Sequence, residues 1–85
     1  MEEKIRQIIE GYKGAKLTRL SCGRYSSDYV MLVAEGMKHR NMPYAAKKIL
    51  EAFPEVKWVH FAKNGFTEHV YSRKTLSWIG FKFAE

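Results

Sequence analysis

The chain is poor in the residues that staple, punctuate or chemically arm a small protein. Cys22 is the single cysteine in 85 residues. No internal disulfide can form, and the expected setting is reducing, hence intracellular and cytoplasmic. There are two prolines, Pro43 and Pro54, one glutamine, Gln7, and two asparagines, Asn41 and Asn64; so low an amide content is a feature of heat-adapted proteins. The longest apolar run covers residues 29–34, far too short to span a bilayer, so no membrane partner is expected. The start, Met1-Glu2-Glu3-Lys4, is charged and leads into a helical pattern, unlike a secretory signal. Gly-rich phosphate loops, carboxylate pairs in apolar surroundings and serine elbows are all missing. These absences leave no motif that names a reaction, and the expectation is a non-enzyme without a cofactor or metal.

What is present fits a binding protein. Hydrophobic residues make up 46% and aromatics 14% of the chain, enough for one thin core in a single domain over residues 1–85 and no more. Fifteen lysines and arginines oppose nine acidic residues, a net charge of +6. Such a balance favours acidic partners, nucleic acid foremost. The plain alternative is that the charge serves solubility.

Periodicity supplies the elements. Ile5, Ile8, Ile9 and Tyr12 fall at i, i+3, i+4 and i+7 and predict an amphipathic helix over residues 2–13, stopped at Gly11 and Gly14. Residues 15–21 read as a short strand. Residues 28–39 carry two patterns at once. Ser27 as N-cap with Val30, Val33, Ala34 and Met37 in a stripe predicts a helix, the preferred reading. The uninterrupted run over 29–34 also suits a buried strand ending at Glu35-Gly36. Asn41 then caps a helix over 42–53, with Pro43 in its first turn and Pro54 as its stop.

Asn64-Gly65 between two β-rich runs signals a type I′ hairpin. Placing those residues in the turn opposes His60 to His69 and Trp58 to Tyr71. A second turn near Arg73-Lys74 completes a three-stranded antiparallel meander, 56–63, 66–72 and 76–83. Alternation then gives one face to Val59, Phe61, Phe66, Val70, Ile79, Phe81 and Phe83, with Glu68 among them as a poor fit. The other face takes Trp58, His60, His69, Tyr71, Arg73, Trp78 and Lys82. The fold expected is α+β, with helices on one face of the meander in the order α-β-α-α-β-β-β.

The mixed face suggests a stacking platform, with bases on Trp58, Tyr71 or Trp78 and phosphates on Arg73, Lys74 and Lys82. Its alternatives are internal packing or a homodimer or protein-partner interface rich in aromatics. The element order over most of residues 2–72 also resembles that of winged helix-turn-helix domains. That resemblance implies a recognition helix at 42–53, with His39, Arg40, Asn41, Tyr44, Lys47 and Lys48 facing DNA. The chain departs from the pattern in its tight hairpin turn and added third strand.

His60 and His69, if opposed, could share a metal ion. The remaining donors, His39 and Cys22, lie in distant segments without ligand spacing, so a stacked surface pair is expected instead. Cys22 beside Gly23-Arg24 reads as an inert thiol rather than a reactive one. The expectations are therefore a small basic nucleic-acid-binding protein or, as runner-up, a homodimeric interaction module.

Overall fold

Two β-hairpins joined by a helical crossover make the frame. The computed structural model describes residues 1–22 and 28–78. Helix α1 (Glu2–Glu10) leads into β1 (Lys16–Cys22), which pairs antiparallel with β2 (Tyr29–Glu35). A single 3₁₀ turn (His39–Asn41) and helix α2 (Met42–Ala52) then carry the chain across to β3 (Trp58–Lys63). Strand β3 runs parallel to β2 and antiparallel to β4 (Phe66–Ser72), and helix α3 (Arg73–Trp78) follows directly. The mixed sheet has the order β1-β2-β3-β4.

Among the described residues, α1, α2 and α3 all lie on one side of the sheet. Ile5 and Ile9 of α1, Ala45, Ala46, Ile49 and Leu50 of α2, and Leu76 of α3 close over Leu17, Val30, Leu32, Val59 and Phe61. These residues are almost fully buried, and among the described residues no polar or charged one is buried with them. The apolar stripes read from periodicity thus do place α1 and α2, as amphipathic packing requires.

The region 28–39 departs from the helix expected there. Residues 29–35 are strand β2, hydrogen-bonded to a neighbour on each side. The apolar run over 29–34 satisfies both a helical and a strand period, and pairing with β1 on one side and β3 on the other decides for the strand, whose residues alternate between buried and more exposed. The winged helix-turn-helix comparison falls with this helix. Gly36 ends β2 with φ +81, and a Cβ there would collide with the Gly14 carbonyl oxygen. A glycine is therefore required where the two hairpin ends meet.

A second departure concerns the third strand of the meander. Residues 73–78 form helix α3; residues 79–83 of that expected strand lie outside the described residues. Ser72 starts the helix: its Oγ accepts a hydrogen bond from the Thr75 N–H at 3.1 Å, the N-cap geometry of a Ser three residues ahead of its donor. Arg73 then reaches under α2. Its Nη2 donates to the carbonyls of Leu50 (2.6 Å), Phe53, Pro54 and Val56 (each 3.3 Å). Carbonyls at a helix C-terminus lack intrahelical partners, so this guanidinium ties α3 to the end of α2.

The third departure is one of register. The hairpin does turn at Asn64-Gly65, with φ 52 and φ 82, the left-handed pair a type I′ turn needs. Lys63 opposes Phe66 and Ala62 opposes Thr67, but Phe61 then opposes His69. Glu68 is an extra residue in β4, a β-bulge. Below it every pair shifts by one: His60 opposes Val70, and Trp58 opposes Ser72 rather than Tyr71.

Candidate nucleic-acid interface

The shifted register divides the sheet into two unlike faces. On the helix side, Cys22–Val30–Val59–Tyr71 and Leu20–Leu32–Phe61–His69 form continuous rows. On the other side the rows are Tyr29–Trp58–Ser72 and Ser21–Met31–His60–Val70. No helix of the described residues packs on this second side. It is an open face bearing aromatics.

At one end of this face, where the parallel strands β2 and β3 begin, Tyr29 and Trp58 are 37% and 43% exposed. The Tyr29 ring meets the His60 ring edge-on at 5.4 Å between centroids. Met31 lies in register with His60 on one side, and Val70, 45% exposed, on the other. This half-buried, largely apolar setting holds the His60 imidazole below its ordinary pKa of 6.5, because burial penalises the charged form.

Cations border the aromatics. Arg19 lies beside Val33 in the next row of the open face. At the opposite end, Lys57, Trp58, Ser72, Arg73 and Lys74 line a shallow hollow of about 270 Å³. The Lys57 ammonium is 3.8 Å from the Asp28 carboxylate, an exposed pair. Pairs of this kind are held weakly and yield readily to another anion.

The structure therefore brings together Trp58, Arg73 and Lys74 from the residues named by the sequence. It separates Tyr71, which sits half-buried on the helix side against Phe61, with rings 5.8 Å apart; burial there raises its phenol pKa. Trp78 is the last residue of α3, and its side chain and Lys82 lie outside the described residues. The helix residues form no common surface with this face. Arg40 is exposed on the 3₁₀ turn, Lys47 sits 3.7 Å from Glu51, and Lys48 lies over the Tyr12 ring at 4.9 Å. Sequence reasoning missed Tyr29, Met31, Arg19 and Lys57. Reading 29–35 as a strand would have found the first two, because alternation puts both on the face opposite Val30 and Leu32.

A second cluster lies on the helix side. One donor atom each from His39, Glu68 and His69 lies within 4.8 Å of the others. The two imidazole rings meet edge to face at 4.8 Å. The expected partner of His69, His60, points to the opposite face. No helix among the described residues is long and apolar enough to cross a membrane.

Comparison with known proteins returns no match: no family model fits the chain, and neither a curated protein nor a solved structure resembles it significantly.

Proposed function

We propose that the protein binds single-stranded nucleic acid across the open face of its sheet. The observation that carries this reading is the juxtaposition of exposed Tyr29 and Trp58 with half-buried His60 on two adjacent strands, with Lys57 and Lys74 beside Trp58 and Arg19 farther along the same face. Unstacked bases lie on aromatic rings at little cost in sequence choice, while cations beside them meet the phosphates. A duplex offers no base planes to such a platform, so single strands are the preferred ligand. The net charge of +6 adds long-range attraction for a polyanion.

A second reading rests on a different property of the same face. Met31, Val33 and Val70 are apolar and partly exposed beside the aromatics, a composition that suits a homodimer or protein interface. Salt separates the two. Three phosphate contacts on a single strand release counterions, giving a slope of roughly −2 in log affinity against log salt. A labelled oligonucleotide titrated at several salt concentrations, beside a sizing experiment, reads both. Steeply salt-dependent binding by a monomer supports the nucleic-acid reading. A salt-insensitive dimer that ignores oligonucleotides at low salt overturns it.

A further inference from the structure

We propose that His39, Glu68 and His69 form a binding site for a divalent transition-metal ion of the zinc type, opening into the neighbouring cleft. This site lies on the helix side of the sheet and does not depend on the nucleic-acid reading of the open face.

The bulge in β4 is what creates the donor set. Consecutive residues of a regular strand point to opposite faces, so Glu68 and His69 would ordinarily be kept apart. Here Phe61 and Ala62 of β3 face His69 and Thr67, and Glu68 is the inserted residue. Bulges re-aim side chains in this way, and they concentrate beside functional sites. The insertion accounts for an acid that fits poorly with regular alternation, because it brings a carboxylate within reach of two imidazoles. His39 arrives from the other direction, on the 3₁₀ turn that follows the Gly36 turn at the end of β2. Three segments far apart in sequence thus meet at one point, so ligand spacing within the chain could not reveal it.

The donors define the ion. Two imidazole nitrogens and one carboxylate oxygen suit zinc and its neighbours, whereas calcium and magnesium require oxygen ligands throughout. Three protein ligands leave a coordination position for water or a ligand, unlike closed structural sites made of four. His39 and Glu68 also line a cleft of about 510 Å³ with Met42, Phe61, Lys63 and Asn64, so that position has room beside it. Among the described residues, none of the three side chains carries a hydrogen bond or ion pair, and His39 and Glu68 are exposed. Their donor atoms are uncommitted. A tetrahedral ion at ordinary zinc distances places its ligand atoms about 3.3–3.5 Å apart. From the present spacing, rotation of the two exposed side chains closes the set by about 1.5 Å at most.

The test uses the full chain without a histidine tag, titrated with cobalt(II) for its visible absorption and with zinc in competition. The expected result is one equivalent bound, with zinc displacing cobalt and a large excess of magnesium or calcium displacing neither. Glu68→Gln and His39→Ala, both at exposed positions, should each weaken binding by about tenfold or more. His69→Ala should do the same wherever its thermal melt shows it folded. His60→Ala, on the opposite face, should bind as the parent does. Absence of saturable binding overturns the proposal, as does binding that survives Glu68→Gln and His39→Ala or that is lost with His60→Ala.

Discussion

The two faces of the sheet are built from the same strands and differ in almost every other respect. On the helix side, Val30, Leu32, Val59 and Phe61 are at most 1% exposed. On the open side the intervening residues of β2 and β3, Tyr29, Met31, Trp58 and His60, remain exposed or half-exposed. The first face is occupied by three helices that the chain itself provides. The second offers aromatic planes beside cations with no helix of the described residues upon it. The difference teaches that alternation, not average hydrophobicity, sorts these residues: each residue of 29–33 is apolar, yet every second one faces away from the helices.

The contrast can be broken from the helix side with the largest effect. Phe61 is buried at the centre of the sheet, and Phe61→Ala should destabilise folding by about 3–5 kcal/mol through lost burial and the cavity left behind. Met31→Ala, half-exposed on the open face, should cost about 1 kcal/mol or less. Chemical denaturation of the two variants checks the pair. Equal losses would mean that both faces are core.

A smaller effect sharpens the comparison through pH. The folded pKa of His60 is depressed by burial, so the unfolded chain takes up its proton first as pH falls. Its stabilising contribution is complete above pH 6.5 and is lost as the pH drops from there through the lowered folded value. Protonation also adds a cation to the open face. Oligonucleotide affinity at constant salt should therefore rise modestly as the pH falls through that lowered value in the parent, and this increment should vanish in His60→Gln. A pH profile unchanged by that substitution would remove His60 from the interface.

Much of this contrast was legible in the sequence, and its failures have physical causes. Asn64-Gly65 set the turn because few residues accept two consecutive positive φ angles, and α1 and α2 followed from their stripes. The β2 segment misled because its apolar run satisfies both a helical and a strand period, and only the neighbouring strands decide between them. The Glu68 bulge has no local signature: it moved His69 and Tyr71 to the helix side and left Trp58 and His60 on the open one. Trp58 and Lys74 line one hollow, although the register from which the sequence placed Trp58 on its face is displaced by the bulge. Arg73 illustrates the limit of reading charge as function, since its Nη2 is engaged with four carbonyls at the end of α2. The capping relation of Ser72 to Thr75 was the available signal for α3 in place of a third strand.

Trp58 and Tyr71 bring the comparison to a single measurement, because an unbulged hairpin would put them side by side and the structure puts them on opposite faces. The affinity of a labelled single-stranded oligonucleotide should be measured at fixed low salt for Trp58→Ala and Tyr71→Leu, each confirmed folded by its thermal melt. Trp58→Ala should weaken binding by about 1–3 kcal/mol, the loss of one stacked base, while Tyr71→Leu should bind as the parent does. Loss in Tyr71→Leu with Trp58→Ala unaffected, or parental binding by both, would contradict the open face as the site.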